Sequence, residues 1–148
     1  MEISENGLDL IKKFEGFRSE PYRCSAGVPT IGYGTTHYPD SRAVRLDDSP
    51  ITEAQAEVFL RSDVSKCSEF VTEQVSSTLN QNQFDALVSF TYNLGSANLE
   101  RSTLLKKLND KPDDKRIAEE FMRWVYARGR KLEGLVRRRK AEADLYFS

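Results

Sequence analysis

Apolar residues recur along the chain with two periods, and the change between them predicts its architecture. Leu8, Ile11 and Phe14 return every third residue with Lys12 and Lys13 between them, the stripe of an amphipathic helix from Ser4 or Glu5 to Phe14. Gly16 punctuates its end. Residues 22–24 and 28–33 then read as short strands around Ser25-Ala26-Gly27. Between 35 and 50 the periodicity fades, which predicts a loop or a third weak strand.

From Thr52 onward the pattern is helical. Thr52 and Gln55 form a capping-box pair that opens a helix through about residue 75. Its stripe of Leu60, Val64, Cys67 and Val71 is thin for its length, which suits an element linking two lobes. Asn80 and Gln83 repeat the capping pair ahead of Phe84, Leu87, Val88 and Thr91, and Gly95 reads as the stop. Shorter helices are predicted at 102–109, 113–126 and 133–147, separated at Pro112 and Gly129. The fold class is therefore α+β, mainly α. A lobe of about residues 1–52 holds the hairpin, 53–75 is the linking helix, and 76–148 is a larger helical lobe, all in a single domain.

Composition adds limits. A chain of 148 residues, 39% hydrophobic and 30% charged, is an ordinary globular protein with room for a core. The net charge of −1 hides an uneven distribution. Residues 123–140 carry Arg123, Arg128, Arg130, Lys131, Arg137, Arg138, Arg139 and Lys140 against Glu133 alone. Such a stretch is either a solvated helix face or a site for a polyanion; no nucleic-acid recognition motif accompanies it. Two cysteines are too few for a disulfide framework, and Cys67, on its apolar stripe, reads as a small buried hydrophobe. With His37 the only histidine, a His/Cys zinc site is hard to assemble, so no metal is expected. Residues 1–10 are polar and acidic, and no apolar run approaches the roughly 20 residues that span a bilayer.

The densest chemistry lies in 14–36, FEGFRSEPYRCSAGVPTIGYGTT. Glu15 ends the first helix, and Cys24 and Thr30 follow on an E-x8-C-x5-T spacing, with Gly32 and Gly34 placed for close backbone approach. This stretch resembles the phage-type lysozymes, endolysins of glycoside hydrolase family 24, which carry Glu, Asp and Thr at this spacing and a T-x-G-x-G run from the Thr. LVSFTYNLG at 87–95, and EGLVRRR with Glu142 after Trp124, resemble family landmarks downstream, so the likeness spans nearly the whole chain. Two departures stand out. Cys24 takes the place of the usual Asp, and Thr35 follows the second glycine where most relatives have His.

The resemblance implies a lysozyme-like fold and a muramidase that cuts the β-1,4 bond between N-acetylmuramic acid and N-acetylglucosamine, lysing the host. Glu15 is then the general acid; an ordinary Glu, with a pKa of about 4.3, needs a site that keeps it protonated. Cys24 and Thr30 inherit the side of the attacking water, with Thr30 orienting it. For Cys24 three readings stay open. It is a thiolate favoured by Arg18 or Arg23, a neutral spectator, or a covalent nucleophile. Tyr92 and Asn93 match an aromatic and an amide that contact sugar, although Tyr92 also suits ordinary core. Thr103 matches a small hydroxyl further along the substrate. Arg138 is the arginine expected to reach Glu15, with Arg137 and Arg139 pointing elsewhere. Neither cofactor nor metal is required. The implied partner is bacterial peptidoglycan, with no nucleic acid and no stable membrane insertion, and the chain is expected to be a monomer. It is expected to gather in the host cytoplasm until released to the wall, with no signal peptide or signal-anchor of its own. The competing readings are a non-catalytic wall-binding protein and a cysteine amidohydrolase pairing Cys24 with His37.

Overall fold

The computed structural model describes all 148 residues. They form two compact units, Asp9–Lys66 and Met1–Leu8 with Cys67–Ser148. Two helices contribute to both: α1 (Glu5–Glu15) and α2 (Glu53–Gln74). No helix is long and apolar enough to cross a membrane.

In the first unit, β1 (Arg18–Arg23) and β2 (Pro29–Gly32) pair antiparallel. Tyr22 lies opposite Thr30 and Arg23 opposite Pro29, with an irregularity between Arg18 and Tyr22. The turn closes through the Cys24 N–H on the Val28 carbonyl (3.0 Å) and the Gly27 N–H on the Cys24 carbonyl (2.8 Å). Gly32 fits twice over. Its φ is +66°, and a Cβ there would sit 3.0 Å from that of Ala56, so the hairpin end lies directly on α2. The segment after β2 makes only isolated bridges, Ile31 with Thr35 and His37 with Ala43. A small core of Ile31, Tyr38 and Val44 fills the unit, with Ile51 and Phe59 packed against it. Thr52 and Gln55 cap α2 as predicted, the Gln55 N–H donating to the Thr52 hydroxyl at 3.1 Å.

The second unit is built on α3 (Gln81–Leu94), buried continuously from Gln83 to Thr91. A helix buried on all sides belongs at the centre of its unit. Around it are α4 (Ser96–Arg101), α5 (Thr103–Asp110), α6 (Ile117–Phe121) and α7 (Glu133–Tyr146). Phe90 of α3 meets Phe121 and Trp124 edge-on at 5.8 and 5.6 Å. The chain's start is tied to α3 by the buried Asp85, which accepts from the Ser4 N–H (3.0 Å) and the Ser4 hydroxyl.

Three expectations are corrected. Residues 113–126 do not form one helix. The Asp114 carboxylate accepts from the Arg116 N–H (2.9 Å) and guanidinium (2.8 Å), fixing a turn before Ile117. After Phe121 the Trp124 N–H returns to the Phe121 carbonyl (3.1 Å), a tight turn that leads into β3 (Tyr126–Ala127) and β4 (Arg130–Lys131). Arg128 and Gly129 carry φ of 52° and 76°, the two left-handed residues of a type I′ hairpin turn. Second, α4 follows Gly95 without a sequence signal, being only six residues long. Third, Cys67 is half-buried; the inward position one turn after Val64 goes to Ser68, 5% exposed.

Candidate active site

Glu15, Cys24 and Thr30 all belong to the hairpin-bearing unit. Glu15 is the last residue of α1 and half-buried. The helix stops there because Gly16 turns left-handed (φ +72°), its N–H still bonded to the Lys12 carbonyl at 2.9 Å. This stop sets the carboxylate at the head of the strand pair.

Cys24 follows directly on β1 and is half-exposed. Its thiol is held below the ordinary value, first by hydrogen bonding to the backbone of Val28 and Ala26, then by the Thr30 hydroxyl. Hydrogen bonding of this kind favours the anion over the neutral thiol. The expectation that Arg18 or Arg23 would favour the thiolate is therefore corrected. Arg23 donates to the Gly27 carbonyl at 2.9 Å, and the Arg18 guanidinium lies over the Tyr22 ring at 4.3 Å. No imidazole is among the groups that hold the thiol; His37 is exposed and its Nδ1 lies 3.2 Å from the Thr36 hydroxyl.

Thr30 is 3% exposed and donates its hydroxyl proton to the Val28 carbonyl at 2.8 Å. With that proton committed, its oxygen has lone pairs to offer the Cys24 S–H or a water. When Cys24 ionises, the same hydroxyl can turn and donate to sulfur.

Two neighbours were not singled out from sequence. Tyr22 pairs in register with Thr30, so both side chains share a face of the hairpin, and alternation brings Cys24 to that face. Burial pushes the Tyr22 phenol up, and so do Glu15 and Cys24, against the pull of Arg18. Tyr22 therefore stands within electrostatic reach of both candidate catalytic groups. The other is Asp63. The buried Thr35 hydroxyl donates to it at 3.1 Å, and burial pushes its carboxyl up while Thr35, Lys66 and His37 pull it down.

The remaining candidates lie in the helical unit. Tyr92 and Asn93 are half-buried near the end of α3, and Thr103 is exposed at the start of α5 behind the capping Ser102. Within this unit Arg138 is 4% exposed, its Nε 3.4 Å from Glu142 Oε2 and its Nη2 3.3 Å from the Ser89 carbonyl. Arg139 does not point to solvent. It is fully buried, stacked on Phe90 at 5.2 Å, and donates to Asn93 Oδ1. The exposed basic surface is thus Arg123, Arg128, Arg130, Lys131, Arg137 and Lys140, without Arg138 and Arg139.

The family described as phage lysozyme matches residues 12–142. The chain belongs to the phage lysozyme family. An endolysin of Acyrthosiphon pisum secondary endosymbiont phage 1 is 43% identical to it over 152 residues, covering 100% of this chain and 99% of that one. Among solved structures, an endolysin from Escherichia coli O157:H7 phage FAHEc1 superposes with a TM-score of 0.90 and 41% identity, over 100% of this chain and 94% of that chain. A P22 lysozyme gives 0.85 and 34%, over 100% and 99%. As a phage lysozyme the chain is a peptidoglycan-hydrolysing enzyme, and the lysozyme-like fold read from the sequence holds.

Proposed function

We propose that this lysozyme cuts the β-1,4 bond between N-acetylmuramic acid and N-acetylglucosamine with Glu15 as general acid, the Cys24 thiolate in place of a second carboxylate, and Thr30 holding water. The observation that carries this reading is the Cys24 thiol, held low by backbone hydrogen bonds on the hairpin that also bears Thr30. A glycosidase needs a proton donor on one side of the bond and, for attack by water, an acceptor or negative charge on the other. A thiol with an ordinary pKa of about 8.5 is mostly neutral at pH 7; hydrogen bonds that favour the anion make it serve. In the helical unit Tyr92 offers a ring face to sugar, and the Asn93 amide nitrogen, its oxygen taken by Arg139, is oriented to donate to an acetamido group. Thr103 adds an exposed hydroxyl, and Arg138 braces the middle of α3 through the Ser89 carbonyl. Mass spectrometry of digested peptidoglycan tests the reading: muropeptides with reducing muramic ends are expected, and cleaved stem peptides with intact glycan would overturn it.

The thiol gives a second test. At neutral pH iodoacetamide should modify Cys24, with a half-maximal rate at a pH below the ordinary thiol range, because a lowered pKa moves the ionised fraction toward acid. Cys24→Asp should keep activity within about tenfold of wild type, and Cys24→Ala should lose about a hundredfold. An alanine variant as fast as wild type would make the thiol a spectator.

The exposed cations assign the wall itself a role. Peptidoglycan is polyanionic through its peptide carboxylates, so added salt should weaken activity on whole walls more than on short neutral oligosaccharides. Equal sensitivity of the two substrates would remove the basic surface from binding.

A further inference from the structure

The catalytic hairpin carries a cation that the reaction as described leaves unused. Arg18 opens β1, exposed, with its guanidinium 4.3 Å from the centroid of the Tyr22 ring. The ring is its only described partner, and no carboxylate pairs with it. A guanidinium lying on an aromatic face keeps its N–H edge free and its plane fixed, so less freedom is lost when that edge binds. The edge presents two parallel donors, the geometry that matches a carboxylate.

The position of this cation gives it meaning. Tyr22 lies opposite Thr30 across the hairpin, and its phenol feels both Glu15 and Cys24. Arg18 therefore waits on a residue that borders the reacting groups. A muramidase substrate carries carboxylates near its scissile bond: the lactyl carboxyl of a bare muramic residue, or the carboxyls of the stem peptide. Arg23, the other cation of the strand, is occupied by the Gly27 carbonyl.

We propose that Arg18, held flat on Tyr22, binds a substrate carboxylate beside the catalytic hairpin and makes the enzyme prefer carboxylate-bearing glycan. This rests on the muramidase reading above.

The test is steady-state kinetics on three soluble glycans. One retains its stem peptides, one is stripped to free lactyl carboxyls, and one is stripped with those carboxyls converted to amides. Wild type should prefer an acidic strand over the amidated one by about tenfold in kcat/KM, the scale of one charge-assisted hydrogen bond. In Arg18→Gln that ratio should collapse toward one, the loss appearing in KM rather than kcat. Arg18→Lys, which keeps the charge without the plane, should fall between. Tyr22→Leu, which removes the platform, should weaken the preference with the charge intact. A preference confined to the peptide-bearing strand identifies a peptide carboxylate; one shared by the stripped strand identifies the lactyl group. An Arg18→Gln enzyme that keeps the wild-type ratio, or loses equally on acidic and amidated strands, overturns the proposal. A loss accompanied by a displaced pH profile would instead make Arg18 an electrostatic neighbour of the catalytic groups and also overturns it. Wild type releasing no reducing ends from any strand would bring down the muramidase reading first, and this inference with it.

Discussion

Glu15→Gln is expected to lower the release of reducing muramic ends by about 10²–10⁴-fold, the contribution of a positioned general acid, with a folded, wall-binding protein remaining. Glutamine keeps the shape and hydrogen-bonding reach of the side chain and removes only the transferable proton. The fold should tolerate it because the backbone sets this position: α1 ends at Glu15 through the left-handed Gly16 and the Gly16 N–H bond to Lys12. Parallel digests of wild type and variant, read by mass spectrometry with circular dichroism as the check on folding, give the answer. Muropeptides from both proteins in equal amount would place the acid elsewhere. Cleaved stem peptides that persist in the variant would promote Cys24 from charge to nucleophile.

Glu15 and Cys24 are built by different local devices. The proposed acid sits at a helix end, where a glycine stop fixes the last side chain. The proposed thiolate sits at a turn, whose backbone hydrogen bonds favour negative charge on sulfur without an arginine. A carboxylate is ionised at neutral pH unaided, whereas a thiol needs hydrogen bonding that favours the anion, and here the backbone of Val28 and then of Ala26 supplies it. The Thr30 hydroxyl, which donates to the Val28 carbonyl, also contributes to lowering the thiol.

Much of this was legible from sequence because it is local. The capping pairs Thr52/Gln55 and Asn80/Gln83, the glycine stops at Gly16 and Gly95, and the spacing of Glu15, Cys24 and Thr30 each act over a few residues. What escaped was either short or distant. α4 has too few residues to show a period. The helix expected over 113–126 was broken by an Asp114 turn and by a hairpin needing left-handed φ at Arg128, a residue type that gives no warning of it. The direction of Arg139 depends on Asn93, 46 residues away, and the Ser89 bond to Glu142 spans 53. Helical periodicity places three consecutive arginines on three faces; it does not say which faces are buried.

Those arginines carry the second large effect. Glu142→Gln is expected to destabilise the protein by about 3–5 kcal/mol, the usual cost of removing one partner from a buried ion pair, and to lower Tm by on the order of 10 °C. Glu142 is fully buried between two guanidiniums, Arg138 Nε at 3.4 Å and Arg139 Nε at 3.2 Å, and accepts from the Ser89 hydroxyl at 2.5 Å. Two forces compete at this carboxyl. Burial is the stronger influence and raises its pKa, which disfavours the charge; both guanidiniums and Ser89 pull it down. Arginine does not shed its proton in proteins, so a neutral residue at 142 leaves two adjacent cations buried with no charge between them. That repulsion should outweigh the relief of no longer burying a carboxylate. A double-mutant cycle isolates the argument: once Arg139→Met has removed one cation, adding Glu142→Gln should cost less than it does alone. Since Arg139 also holds Asn93 Oδ1, either variant should loosen the end of α3, visible as faster hydrogen exchange at Tyr92 and Asn93. An unchanged Tm in Glu142→Gln would mean that the cost of burying the carboxylate cancels its attraction to both arginines, and the cluster would then shape this unit without stabilising it.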